Sequence, residues 1–183
     1  RGIDTVMQIH VSETLSEHEE CKERHGLTPA AYLEKAGLFD VPAVAAHCVY
    51  STDEDLEIFK EKGVTVATNP VSSGICDAAG VLEHGVNLAI GTDSVASNNS
   101  LDFTEEMKVL AIGSKIARRD PSALSPKQVL RAATEGGAKA QQRNDCGVLK
   151  EGNRADLAVF DISTPNMHPV HDIVNNMVYS VSR

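Results

Sequence analysis

The chain has no apolar run long enough to cross a membrane, no Cys-x-x-Cys pair, and fewer basic than acidic residues. Each absence excludes something. A helical membrane span needs about 20 consecutive apolar residues, so a membrane partner is not expected. With 17 Lys and Arg against 26 Asp and Glu, net −9, a phosphate backbone would meet repulsion, and nucleic acid is not expected either. Cys21, Cys48, Cys76 and Cys146 lie far apart. Free thiols in a reduced, cytoplasmic setting are therefore expected rather than a disulfide framework. An initiator Met and a secretory leader are also missing, since Arg1-Gly2-Ile3-Asp4 runs almost at once into Val6-Met7-Gln8-Ile9. A piece of a longer protein is expected.

What is present is the balance of a soluble globular chain, 42% hydrophobic and 23% charged over 183 residues. Three stretches stand out: Ile9-His10-Val11-Ser12-Glu13-Thr14, Ala45-Ala46-His47-Cys48 and Ile90-Gly91-Thr92-Asp93-Ser94. Each ends an apolar run with a group able to bind metal or move a proton. A (β/α) barrel presents a site this way, with residues at the ends of buried strands pointing into the mouth. His47 follows His10 by 37 residues and Asp93 follows His47 by 46, room each time for a strand, a helix and loops.

The pattern along the chain alternates accordingly. Strands are expected over Val6–His10, Ala43–Cys48, Val64–Thr68 and Asn87–Gly91. Helices are expected over Leu15–His25, with Ser16 as cap and Glu19 completing a capping box, and over Thr28–Ala36, with Pro29 inside and Gly37 just past the end. Further helices are expected over Asp53–Lys62, Ala78–His84, Leu101–Arg118 and Ser125–Gly136. Such alternation means α/β architecture with a parallel sheet and crossover helices. From Cys146 the texture becomes turn followed by strand, with Ala155–Asp161 as the strand. Residues 1–145 thus read as a partial barrel and 146–183 as part of a small β-rich appendage.

Five blocks in order carry a family resemblance: His10 to Thr14, Ala46 to Val49, Asn69-Pro70-Val71-Ser72, Gly91 to Ser94 with Ser97 to Asp102, and Gly147 to Asp156. Together they resemble the amidohydrolase superfamily, in its cytosine-deaminase-like and chlorohydrolase branch, which contains 5-methylthioadenosine/S-adenosylhomocysteine deaminases. The resemblance implies the C-terminal half of a (β/α)8 TIM-type barrel, strands 5 to 8, with part of a β-sandwich appendage. It makes His10 and Asp93 ligands of one divalent metal ion, zinc before iron or manganese, and Glu13 the proton shuttle. His47 would hydrogen-bond the attacking water or the developing oxyanion, and Asp93 would also take the water's proton. These roles are chemically sound, because imidazole and carboxylate suit such an ion and a nearby carboxylate can carry protons.

Two departures qualify the resemblance. The family places a His-x-His pair at the end of its first strand, and none occurs in this sequence. After Asn69-Pro70-Val71-Ser72 the family runs through an Asn- and Lys-containing loop, whereas here Ser73-Gly74-Ile75 follows directly.

Plainer readings stand beside the functional ones. Asp93 in its Gly-Thr-Asp-Ser turn has a lesser reading as a helix cap, and Asn98 and Asn99 read better as cap and turn residues than as substrate contacts. His18, Cys21 and His25 fall on one helix face among glutamates and read as that face rather than a metal site. His84, His168 and His171 receive no role, and alternation sends Cys48 into packing. Two functions remain open: a metal-dependent hydrolase deaminating an aminated purine nucleoside or related ring, or an inactive barrel remnant acting as scaffold. Half a barrel leaves sheet edges open, so homo-oligomerisation or association with the missing half is expected.

Overall fold

The computed structural model describes residues 5–181; positions 1–4 and 182–183, at the outer ends of the two expected units, lie outside them. Its centre is a four-stranded sheet with the strands in chain order. They are β1 (Met7–Val11), β2 (Ala43–His47), β3 (Thr65–Thr68) and β4 (Asn87–Ile90). All pairings are parallel, His10 lying level with Ala46, Val11 with His47, and Thr68 with Ile90. Parallel neighbours need crossovers, and helices supply them. Helices α1 (Leu15–His25) and α2 (Pro29–Lys35) link β1 to β2, α3 (Asp53–Lys62) links β2 to β3, and α4 (Pro70–Ser73) with α5 (Ala78–Glu83) links β3 to β4. Beyond β4 come α6 (Val95–Asn98), α7 (Phe103–Arg118), α8 (Pro126–Arg131), α9 (Gly137–Ala140) and α10 (Ile173–Tyr179). The expected α/β architecture, a parallel sheet with crossover helices, is what forms.

Strand alternation separates two faces. Met7, Ile9, Val11, Ala45, Val66, Leu88 and Ile90 pack with Phe59, Leu110 and Val129 into the main core on the helical side. Each fully buried side chain of this kind contributes roughly 1.5–3 kcal/mol. The other face carries small residues, Val44, Ala67 and Ala89, against Ala140. They leave a cavity of about 350 Å³ whose lining includes Gln8, His10, His47, Asn69 and Asp93. No helix among the described residues is long and apolar enough to cross a membrane.

Local chemistry sets most helix ends. Thr52 and Asp55 form a reciprocal capping box at α3, and Ser125 and Gln128 form one at α8. Thr28 caps α2 as expected. Helix α1, however, is capped by Thr14, whose hydroxyl accepts from Glu17 N, and not by Ser16. The physical reason lies upstream, where the Glu17 carboxylate accepts Ser12 N and Glu13 N at 2.9 and 2.8 Å and starts the helix early. The expected helix over Ser125–Gly136 is also not uniform. Its last part, Ala132–Gly136, is a π-helical turn that brings Gly136 against the β4 backbone, where Asn87 Nδ2 donates to Gly136 O at 3.0 Å.

The strand expected over Ala155–Asp161 does not form. No residue from 141 to 172 is in a strand, and Leu157 and Val159 are 60% and 93% exposed. A strand needs a ladder partner for its N–H and C=O groups, and none of the described segments pairs with this one. The chain instead returns through Met167, fully buried, to α10, which packs on α7 and α8 and adds Val178 to the main core. Lys115 Nζ lies 4.5 Å from the centre of the Tyr179 ring.

Candidate active site

The sequence-expected site residues gather at one end of the sheet. His10 is the penultimate residue of β1, His47 ends β2, and Asp93 follows β4 by three residues. The backbone bends sharply there, because Ser12, His47, Cys48 and Asp93 all have positive φ, 50°, 71°, 55° and 58°. For residues with a Cβ this left-handed region costs about 1–2 kcal/mol each, and such outliers concentrate at functional sites.

His10 and His47 stack with ring centres 5.2 Å apart and planes 10° from parallel. Glu13 Oε1 stands 3.7 Å from His47 Nε2. The other ring nitrogen of His47, Nδ1, is 2.6 Å from Ser73 Oγ and 3.2 Å from Asn69 Nδ2. An amide nitrogen can only donate, so Nδ1 accepts and the imidazole proton sits on Nε2, facing Glu13. Burial pushes His47 below the ordinary histidine value, with His10 adding to this and Glu13 and Asp93 opposing it. The ring is therefore held neutral around physiological pH.

Asp93 is exposed, and both of its oxygens accept hydrogen bonds. Its Oδ2 accepts from Ser72 Oγ at 2.6 Å and Ser97 Oγ at 3.0 Å, and Oδ1 accepts from Ser94 N at 2.7 Å. The Ser72 hydroxyl foremost holds its carboxyl below the usual carboxylate value, with burial opposing it and Ser94 N and the Ser97 hydroxyl adding to it. The cap of α6 is Ser94, so Asp93 is free of the plain capping role. Asn98 and Asn99 behave as the plainer reading expects: Asn98 Nδ2 donates to Thr92 O at 2.6 Å, and Asn99 ends α6 in the left-handed region. On α1, His18 Nδ1 meets Ser12 Oγ at 3.2 Å and His25 stacks on Tyr32, each with a structural partner. All four cysteines are free, Cys48 and Cys76 being buried.

Sequence reasoning assigned no role to Asn69, Ser72, Ser73, Gly91 or Glu106. Glu106 on α7 is 1% exposed and accepts Val71 N at 3.1 Å with one oxygen and Asn98 Nδ2 with the other. Burial raises its carboxyl above the ordinary glutamate value while those two donors pull it down. Asn69, Ser72 and Gly91 fall inside the blocks that carry the family resemblance, whereas nothing local marks Ser73 or Glu106.

Among the described residues no group of three or more His, Cys, Asp or Glu is placed to hold a metal ion. His10 and Asp93 nevertheless line the same cavity, and an imidazole with a hydroxyl-buttressed carboxylate is the donor chemistry a divalent ion takes. The residues present fit two positions of a metal centre.

The amidohydrolase family profile matches residues 1–182. The chain belongs to the amidohydrolase family. Among curated amidohydrolase relatives, the 5'-deoxyadenosine deaminase of Methanopyrus kandleri is 44% identical over 181 residues, covering 96% of this chain and 42% of its own length. A 5-methylthioadenosine/S-adenosylhomocysteine deaminase of Dictyoglomus thermophilum is 43% identical over 181 residues, with the same 96% and 42% coverage. The crystal structure of an adenosine deaminase from Xanthomonas campestris with bound zinc superposes with a TM-score of 0.91 at 35% identity, over 96% of this chain and 41% of that one. This amidohydrolase chain thus spans about two fifths of the length of the relatives it matches, consistent with a partial barrel.

Proposed function

We propose that the complete protein containing this chain is a metal-dependent hydrolase that deaminates an aminated purine nucleoside. Water adds at the amine-bearing ring carbon and ammonia leaves. The observation that carries the reading is the meeting of Glu13, His47, His10 and Asp93 around one cavity mouth. The names of the deaminase relatives support the substrate class, and the zinc of the Xanthomonas deaminase supports the ion.

His10 and Asp93 would hold the ion, with the remaining ligands coming from outside these residues. When bound, it supplies Lewis-acid polarisation and makes water a better nucleophile at neutral pH. Glu13 accepts the proton of the attacking water and returns it to the ring nitrogen or the leaving amine. His47, neutral and protonated on Nε2, donates toward the same space and steadies the developing negative charge. The exposed Leu149, Leu157 and Val159 suit an appendage strand that gains its ladder partner from chain beyond these residues, within the expected unit 146–183.

Replacing Glu13 with Gln in the complete protein should leave metal content unchanged and lower turnover about 10²-fold or more, the usual scale for a lost general acid/base. His10→Ala and Asp93→Ala should instead reduce metal occupancy itself. Elemental analysis beside ammonia release from 5'-deoxyadenosine and 5-methylthioadenosine reads both. Unimpaired release by the Glu13→Gln protein removes Glu13 from the mechanism, and metal-replete Ala variants remove the ligand assignment.

A further inference from the structure

We propose that Glu106 is a positioning residue, a buried two-armed carboxylate on α7 that clamps together the two mouth loops holding His47 and Asp93 in place. The functional consequence rests on the reaction proposed above; the clamp itself rests on geometry. One arm takes Val71 N at 3.1 Å. The next two residues, Ser72 and Ser73, send their hydroxyls to Asp93 Oδ2 and His47 Nδ1, each at 2.6 Å. The other arm takes Asn98 Nδ2, which also donates to the carbonyl of Thr92, the residue before Asp93, at 2.6 Å. Glu106 therefore stands one or two residues, or one amide group, away from the supports of both site residues, without touching either.

The side-chain chemistry is specific to this task. The two N–H donors sit on separate oxygens of the group, and a carboxylate is the side-chain end that presents two acceptor oxygens. A glutamine of equal size would turn its NH₂ toward one donor and release one loop. Burying a carboxylate that is 1% exposed is costly unless its oxygens are hydrogen-bonded, and both oxygens are. The anchor is rigid as well. Glu106 lies in the first turn of the 16-residue helix α7, where Asp102 caps the end by accepting Thr104 N at 2.9 Å, and its neighbours Met107 and Leu110 are core residues. Loops bearing active groups thus borrow order from a helix fixed to the main core.

The test uses the complete protein carrying Glu106→Gln, Asn98→Ala and both together. Peptide hydrogen exchange should show protection lost in one of the two segments, 69–76 or 92–99, in the Gln variant. In the Asn98→Ala variant only 92–99 should loosen, because the Val71 arm survives. The strands and α7 should be unchanged in both. For nucleoside deamination kcat should fall at least about tenfold with KM within about twofold, the pattern of a mispositioned reacting group rather than lost substrate binding. The double variant should lie within about twofold of the worse single one, since both act through one chain of contacts. Unchanged loop exchange in Glu106→Gln, or single effects that multiply in the double variant, overturns the clamp. Should the Gln variant fail to fold, Asn98→Ala still decides, and exchange unaltered at 92–99 overturns the proposal. A wild-type protein that releases no ammonia while loop exchange still depends on Glu106 supports the clamp and removes the reaction.

Discussion

Substituting Gly91 by Ala isolates the support of His47 from the rest of the site. Gly91 leaves β4 with its N–H on Thr68 O at 2.9 Å, and a Cβ built on it would stand 2.4 Å from Asn69 Oδ1. A carbon and a carbonyl oxygen approach comfortably only to about 3.3–3.6 Å, so roughly 1 Å must be found. The backbone of Gly91 is tied to β3, which leaves the Asn69 amide to move. That amide holds His47 Nδ1 at 3.2 Å, already near the limit for a hydrogen bond, and another 1 Å or so breaks it. A displacement of about 1 Å in a catalytic arrangement costs about 10²-fold, and that is the expected fall in kcat/KM for nucleoside deamination by the complete protein. The fold should lose about 1–3 kcal/mol from overpacking. Steady-state ammonia release and thermal unfolding measure the two separately. In the double variant Asn69→Ala/Gly91→Ala the clash is gone, so stability should recover while activity stays low. A Gly91→Ala enzyme within about threefold of wild type would refute the idea that Asn69 holds the histidine.

Two further outcomes concern the scaffold. Arg118 donates to both oxygens of Asp77 at 2.8 and 2.6 Å and to Glu83 at 2.9 Å, joining α7 to the start and end of α5. Burial is the largest single influence and raises the Asp77 carboxyl, yet the Arg118 hydrogen bonds and charge, with Gly80 N and His84, together hold the group below its ordinary value of 3.8. A lowered carboxyl stabilises the fold above its unfolded value and loses that contribution as pH falls through the folded one. Because the pair is partly exposed, Arg118→Ala should cost on the order of 1 kcal/mol near neutrality, with the gap to wild type closing below about pH 3.8 in urea titrations; a gap constant with pH contradicts this. Gly136→Ala would set a Cβ 2.0 Å from Leu88 O, backbone against backbone, whereas Gly137 has nothing within 4 Å. The first should destabilise by about 3 kcal/mol or more and the second should gain about 0.5–1 kcal/mol, and similar melting shifts for the two would disprove the close approach.

The ladder of strands was legible because each is an apolar run that a helix must cover, so pattern and burial agree. Val6–His10 and Asn87–Gly91 were placed within one residue of β1 and β4, and Asp53–Lys62 coincides with α3, whose capping box is local. The failures share a cause. Thr14 displaced Ser16 as cap because Glu17 reached back to the strand exit, a contact set by the bend at Ser12 rather than by spacing. The segment Ala155–Asp161 carries strand-like sequence, but a strand exists only with a partner, and sequence pattern cannot supply one. The same limit applies at the site. His10, His47 and Asp93 announce themselves by ending apolar runs. The groups that aim them do not: Asn69 and Ser73 lie 22 and 26 residues from His47, and Glu106 lies 35 from Val71. Those separations are set by how many residues each helical crossover needs, not by chemistry. Reactive groups at strand ends can therefore be read from sequence, whereas the hydrogen bonds that orient them become visible only once neighbouring crossovers are stacked on one sheet. Variants at Ser73 and Glu106, which lie outside every block that carries the resemblance, thus probe a layer of the site that motif spacing leaves blank.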